Sequence, residues 1–150
     1  MRKVTLALAA ACTVAVPLLA AAQFSRPDDA VRYRQGGLNV MGVHFGQLGA
    51  MAQGKLPWDP KAVSENVRVI ETVHTLPFST FGPEMAKAKS KARPEIWTDH
   101  AKFEGARDRM FAAVDDLVAA NKAGDEATIK KAIGATGAAC KNCHDDFRNR

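Results

Sequence analysis

The chain has 150 residues, a formal net charge of +5 and 47% hydrophobic residues. This length suits one domain with its own core. The charge is too small, and the basic residues too scattered, to indicate a nucleic-acid-binding protein. The densest basic run covers residues 87–93. A solvated loop is its simplest interpretation, with a site for an acidic partner as the alternative.

The first 22 residues have the pattern of a secretory signal peptide. A basic start is followed by a mostly apolar stretch and three alanines, so cleavage is expected before Gln23. A membrane anchor is the alternative, but a spanning helix needs about 20 apolar residues, and this stretch is shorter and interrupted by Pro17. Lipid attachment at Cys12 would leave an unexplained apolar start to the mature chain. We therefore predict a periplasmic domain of residues 23–150, with no membrane attachment after cleavage.

The first half of this domain contains two segments with helical periodicity. The first begins at Pro27, ends before Gly54, and has one apolar face formed by Val31, Leu38, Met41, Phe45 and Leu48. The second begins at Asp59, a good N-cap, and ends before Pro77. Residues 76–94 are predicted to form a loop anchored by two apolar side chains, Phe78 and Phe81.

Two further helices are predicted in the second half. One runs from Pro94 to Ala123, with Gly124 as its C-terminal stop. Asp125 caps the last helix, whose shared face carries Ile129, Ile133, Thr136, Cys140, His144 and Phe147. Alternating strand patterns are absent from the sequence. Four amphipathic helices with mostly short links predict an all-α fold, an antiparallel up-down-up-down four-helix bundle.

The last helix carries the motif Cys140-Lys141-Asn142-Cys143-His144, which is a c-type haem attachment signature. Two thiols three residues apart lie on one helical face and can bond to the two vinyl groups of one haem. The histidine beside them can then bind the iron. A thioredoxin-like pair would need a βαβ context, and structural zinc would need four ligands. We therefore predict one covalently attached haem c, with His144 as the iron ligand.

With this motif at the C-terminus, the whole mature chain resembles the cytochrome c-prime family, the class II c-type cytochromes. The resemblance rests on residues 23–35, Leu38 through Met41 to His44-Phe45-Gly46, residues 76–78 and 81–83, residues 92–97, and the terminal motif followed by Arg148. The family implies a four-helix bundle, usually a homodimer, with a five-coordinate high-spin haem. It also implies an iron site open to small gases.

The resemblance assigns roles to residues outside the motif. Leu38 matches the apolar residue over the distal face of the haem, where it would admit nitric oxide or carbon monoxide but offer no hydrogen bond. Arg34 and Gln35 match a haem-contact pair in which the arginine can meet a propionate. Phe81 is expected to pack against the porphyrin. Arg148 is expected beside the proximal histidine, although a surface cation at a helix C-terminus is the alternative.

The function predicted from these features is gas binding together with electron transfer to an unidentified redox partner. A six-coordinate electron carrier is the alternative, with Met41 as the foremost candidate for a sixth ligand because it shares the face of Leu38. The other side chains able to ligate iron are His44, His74, Met85, His100 and Met110. An enzyme is the least favoured reading, because Leu38 supplies no acid–base group.

Overall fold

The computed structural model describes Phe24 and residues 26–150. The predicted signal peptide and its cleavage site before Gln23 lie outside these described residues. No helix in the described part of the chain is long and apolar enough to cross a membrane.

Five α-helices are present in the described residues: α1 (Pro27–Ala52), α2 (Pro60–Val73), α3 (Glu95–Thr98), α4 (His100–Ala123) and α5 (Glu126–Phe147). Their ends follow local signals. The Asp59 carboxylate accepts hydrogen bonds from the first amides of α2, and the Asp125 carboxylate accepts one from the Thr128 amide of α5. Gly124 ends α4 with φ of 81°, in the left-handed region that glycine adopts without strain. These predicted boundaries are confirmed.

The four long helices form the bundle. Helix α1 packs against α2 and α5, and α4 packs against the same two helices from the other side. Side chains that point inward from all four helices build one core, which includes Leu48, Val63, Ile70, Val114, Leu117 and Ile133. Burial of such apolar surface is the main stabilising contribution to the fold. The predicted all-α four-helix bundle is confirmed.

The third predicted helix is wrong at one point, because the chain breaks at Asp99. The backbone of Asp99 is not helical (φ −129°, ψ 58°), and it separates the single turn of α3 from the long helix α4. On the α3 side of the break, the Trp97 indole donates hydrogen bonds to the carbonyl oxygens of Phe81 and Gly82, 3.1 and 3.0 Å away. The break therefore lets α3 follow the preceding loop while α4 follows the bundle axis.

The segment predicted as a loop at residues 76–94 is also partly helical. It contains two 3₁₀ helices, Leu76–Thr80 and Pro83–Met85. Pro77 is buried in the first of them, next to α1. Phe78 and Phe81 both point from this segment into the interior, as predicted, and their ring centroids lie 6.0 Å apart.

Candidate haem site

Two adjoining cavities lie between α1, α5 and the segment from Leu76 to Ala92, and α4 contributes to the walls of both. The outer cavity, of about 580 Å³, reaches solvent, and the inner one, of about 210 Å³, extends into the core. Five residues line both of them: Leu38, Gly42, Phe78, Cys143 and His144. The outer volume falls in the range of about 300–1,000 Å³ typical of cofactor sites.

The α5 wall carries the two cysteines and the histidine of the attachment motif. Cys140 and Cys143 are half-buried free thiols. Burial raises the pKa of both, and the neighbouring negative charges add to the rise for Cys143. A thioredoxin-like redox pair needs a lowered thiol pKa. The environment of these thiols therefore argues against that alternative.

His144 and Arg148 line the outer cavity together. Partial burial against the protein, then the positive charge of Arg148, lower the pKa of the His144 imidazole. A neutral imidazole has a free nitrogen lone pair, the form that binds a metal. The structure thus places Arg148 close to His144 on the wall of the outer cavity.

The end of α5 is held by a short antiparallel contact with the loop before α3. The Arg93 amide donates to the Phe147 carbonyl oxygen (3.0 Å), and the Asn149 amide donates to the Lys91 carbonyl oxygen (2.8 Å). Ala92 and Arg148 face each other between these bonds as an isolated bridge. Arg148 is therefore extended rather than helical, and backbone pairing fixes its place on the cavity wall.

The α1 wall supplies Arg34, Gln35 and Leu38, which all line the outer cavity. Arg34 is only 3% exposed. Its guanidinium donates to the Thr80 carbonyl oxygen (3.0 Å) and to Ser90 Oγ (2.9 Å), and it lies 4.7 Å from the centre of the Phe81 ring.

The buried charge of Arg34 has no carboxylate partner among the described residues. Burial alone lowers the pKa of the guanidinium. A guanidinium offers five N–H donors, and the structure uses two of its nitrogens. A buried cation of this kind favours a carboxylate ligand, with which it can form paired charge-assisted hydrogen bonds. A haem propionate has that chemistry.

The inner cavity is almost entirely apolar. Its wall is built by Met41, Phe45, Ile70, Met110 and Val114 together with residues shared with the outer cavity. The single hydroxyl among its lining residues belongs to Thr136, and it is engaged with the carbonyl oxygens of Ala113 and Ala132 at 3.0 and 2.9 Å. A ligand in this cavity would therefore meet no free side-chain hydrogen-bond donor on its walls apart from the His144 imidazole and the thiols of Cys140 and Cys143.

Three other histidines have partners away from the cavities. His44 Nδ1 lies 2.7 Å from the Asn66 side-chain oxygen, between α1 and α2. His74 and His100 lie close to backbone carbonyl oxygens of their own segments. None of the three lines either cavity. Among the candidates for a sixth iron ligand, Met41 and Met110 do line the inner cavity.

The cavities fit a haem in shape and in chemistry. The inner cavity, of about 210 Å³, has an almost entirely apolar lining, which favours a flat apolar group over water. A flat apolar ring would fill the space, with two thiols and an imidazole on one wall and the unpaired Arg34 guanidinium on another.

Sequence reasoning did not find several residues of this site. Ser90 and Thr80 hold Arg34, but they lie 56 and 46 residues from it, and no local spacing could connect them. Gly42 and Thr136 carry no chemical signal of a haem site. The sequence around Phe78 indicates only an apolar anchor of the loop.

Comparison with known proteins agrees with this geometry. The family profile described as Cytochrome C′ matches residues 29–148. The cytochrome c′ of Rubrivivax gelatinosus is 47% identical over 129 residues, which cover 85% of this chain and 100% of the relative. The crystal structure of cytochrome c′ from R. gelatinosus has a TM-score of 0.82 at 48% identity, over 85% of this chain and 100% of that one. The nitric oxide complex of a leucine-to-alanine mutant of cytochrome c prime from Alcaligenes xylosoxidans has a TM-score of 0.80 at 38% identity, over 85% and 99% of the two chains.

Proposed function

This chain belongs to the cytochrome c′ family, whose members attach haem c covalently, and from that premise we propose how its residues hold the haem and what the protein does. Cys140 and Cys143 form the two thioether bonds, and His144 binds the iron. Arg34 pairs with a propionate, while Gln35 and Phe81 contact the ring. The haem supplies an iron that can bind a diatomic gas and can cycle between the ferric and ferrous states.

The main function that we propose is binding of nitric oxide, and of carbon monoxide, at a five-coordinate high-spin iron. The observation that carries this proposal is the position of Leu38, which lines the same two cavities as His144 and cannot ligate iron. The surrounding inner wall is almost entirely apolar. A gas that needs no hydrogen bond can enter by displacing the leucine side chain, whereas dioxygen would lack a stabilising donor.

Catalytic turnover is not part of the proposal. The walls of both cavities, as the described residues form them, include no aspartate or glutamate. Cleavage of a peroxide would need a general acid–base group beside the open iron position. The protein instead acts as a gas-binding and one-electron transfer protein.

The test is the visible spectrum of the haem-loaded protein, ferric and ferrous, before and after nitric oxide. We expect high-spin bands, a ferrous state without sharp low-spin peaks, and a shift on addition of the gas. Leu38→Ala should accelerate carbon monoxide association measured by flash photolysis. Val40→Ala is the matched control, because Val40 lies on the same helix and lines neither cavity. Equal rates in both variants would contradict gating by Leu38.

A six-coordinate electron carrier is the second candidate, and the position of Met41 favours it. This side chain is 8% exposed and lines the inner cavity. A sharp low-spin ferrous spectrum that does not change on addition of nitric oxide would support this candidate. Met41→Leu conserves the side-chain volume and removes the thioether. Conversion of a low-spin spectrum to a high-spin one by this variant would identify Met41 as the ligand, whereas an unchanged high-spin spectrum is our expectation.

We also propose that the mature protein lies in the periplasm. The support is the signal-peptide pattern of residues 1–22, together with a haem attachment motif in the domain that follows it. Intact-mass measurement of protein from a periplasmic fraction should give the mass of residues 23–150 plus one haem. An uncleaved chain in the membrane fraction would contradict the proposal.

A homodimer built on α1 is the assembly that we propose. Val40 and Val43 are 38% and 54% exposed on this helix, and such apolar side chains are suited to packing against a second helix. Analytical ultracentrifugation at micromolar concentration should show a dimer. Val40→Lys should shift it toward monomer, whereas Leu56→Lys, at an exposed apolar residue beyond the end of α1, should leave it unchanged.

A further inference from the structure

Part of the basic run of residues 87–93 lies at the mouth of the outer cavity, where Ser90, Lys91 and Ala92 form its wall. Lys91 lines that cavity directly, and Arg148 lines it from the end of α5. Lys87 and Lys89 precede Lys91 in the same loop, and all three lysines are exposed. None of the three, nor Arg148, forms an ion pair with a carboxylate of the described residues. We call Lys87, Lys89, Lys91 and Arg148 the basic collar.

Hydrogen bonds hold the two collar residues that line the cavity, Lys91 and Arg148, in place. On one side of Lys91, Ser90 Oγ accepts hydrogen bonds from the Arg34 guanidinium (2.9 Å) and from the Ala92 amide (3.2 Å). On the other side, residues 91–93 pair with residues 147–149 through backbone hydrogen bonds. The positions of Lys91 and Arg148 at the mouth are therefore preorganised, which reduces the entropy that binding a partner would cost.

Asp145, Asp146 and Glu95 near the mouth do not cancel this charge, because each has its own basic partner, whereas Glu84 before the loop forms no ion pair within the described residues. These ion pairs are Lys141–Asp145, Lys102–Asp146 at 3.0 Å, and Arg93–Glu95 at 3.4 Å. The haem itself would bring two propionates, of which Arg34 can offset one. The collar therefore leaves the rim of the cavity with an excess of positive charge.

We propose that the basic collar is the docking surface for an acidic face of a one-electron redox partner protein. This inference rests on the proposed electron-transfer function. The partner docks where the cavity opens to solvent, and one electron passes between its redox centre and the iron, which changes between ferrous and ferric. Complementary charge steers such encounters and can raise association rates by about 10- to 1,000-fold at low salt. An anionic membrane surface is less suitable, because the residues between the lysines are alanine and serine and supply no large apolar anchor.

The experiment uses small ions in place of the acidic partner. The ferrous, haem-loaded protein is mixed in a stopped-flow instrument with hexacyanoferrate(III), a trianion, or with tris(phenanthroline)cobalt(III), a trication. Each oxidant takes one electron from the ferrous protein and leaves it ferric. Rates are measured at ionic strengths of about 0.01 M and about 1 M, where the screening length falls from about 30 to about 3 Å.

Two variants with equal charge change are compared. In the collar variant, Lys87, Lys89 and Lys91 are all replaced by glutamate. The control variant replaces Lys55, Lys61 and Lys131 by glutamate. These three exposed lysines lie around the α1–α2 turn and the start of α5, at the opposite end of the bundle. We expect the collar variant to react with the trianion at least about tenfold more slowly than the unmodified protein at low ionic strength. It should react faster with the trication, and the control variant should change much less with either oxidant.

Four outcomes would overturn the proposal. Equal changes in the two variants would mean that total charge, and not the collar, steers the reaction. Binding of the unmodified protein to phosphatidylserine vesicles at physiological salt, lost only in the collar variant, would reassign the collar to membranes. If neither oxidant reacts with any of the three proteins, the proposed electron-transfer function is contradicted, and the docking surface with it. If both oxidants react with all three proteins at the same rates, only the docking surface is contradicted.

Discussion

Two adjacent glycines on α1 allow a direct test of how the cavity wall is packed. A Cβ atom on Gly37 would lie 2.9 Å from Pro77 Cγ, which is closer than non-bonded carbon atoms approach. A Cβ atom on Gly36 would meet nothing within 4 Å. Pro77 belongs to the 3₁₀ helix that carries Phe78 onto the cavity wall. Gly37→Ala and Gly36→Ala therefore make the same chemical change with and without a clash.

The expected difference follows from two opposing effects. Replacing a helical glycine by alanine stabilises the helix by about 0.5–1 kcal/mol, and Gly36→Ala should show that gain. Gly37→Ala has the same gain, but overpacking against a buried ring costs about 1–3 kcal/mol. Since Pro77 is a rigid ring in a buried turn, the 3₁₀ helix must shift. We expect Gly37→Ala to be less stable than Gly36→Ala by about 1–3 kcal/mol.

Urea unfolding of the haem-loaded variants is followed by far-ultraviolet circular dichroism. The difference in stability is obtained from the shift of the urea midpoint, provided that the m-value is the same in both variants. Because Phe78 lies on both cavities next to Leu38, Gly37→Ala should also change the rate of carbon monoxide association, while Gly36→Ala should not. Equal stabilisation by the two alanines, with equal gas-binding rates, would refute the argument that Gly37 is required for the close approach of Pro77.

Three further predictions concern the fold. Gly124→Ala places a Cβ at φ of 81° and should cost about 1–2 kcal/mol in urea unfolding, whereas Gly134→Ala, in open space on α5, should stabilise by about 0.5–1 kcal/mol. Leu117→Ala removes a side chain that is 0% exposed and should cost about 2–5 kcal/mol by the same measurement. Hydrogen bonds from Thr128 hold the pKa of Asp125 below its ordinary value of 3.8, so this carboxylate stabilises the fold above that pH and loses its contribution as the pH falls through the lowered pKa. Asp125→Asn should therefore reduce the fall in stability on acidification, and an unchanged acid profile would contradict this role.

The helix ends of this protein could be predicted because their signals are local. Asp59, Gly124 and Asp125 each act within one turn of the chain, through a side-chain hydrogen bond or a left-handed backbone. The break at Asp99 could not be found in the same way. Ile96 and Phe103 are seven residues apart and both buried, so the apolar periodicity continues across the break.

The residues of the site also differ in whether local sequence signals identify them. The attachment motif is local, and chemistry alone assigns Cys140, Cys143 and His144. Arg34 and Leu38 were placed by family resemblance, and the structure does bring them to the same cavity wall. The partners of Arg34 come from a segment about 50 residues further along the chain, because the fold of the 76–94 segment determines which groups meet α1.

The segment of residues 76–94 also connects two parts of the site, the aromatic wall of the cavity and its charged mouth. Arg34 spans from α1 to Thr80 in the first 3₁₀ helix and to Ser90 in the basic loop, so one buried guanidinium ties the aromatic wall of the cavity to its charged mouth. If it also pairs with a propionate, the haem becomes a third partner of this group. Loss of Arg34 would then loosen the ring, the Phe81 wall and the collar together, because all three depend on the same buried charge. The proposed gas-binding pocket and the proposed docking surface are in that sense supported by one residue, although they face different ligands.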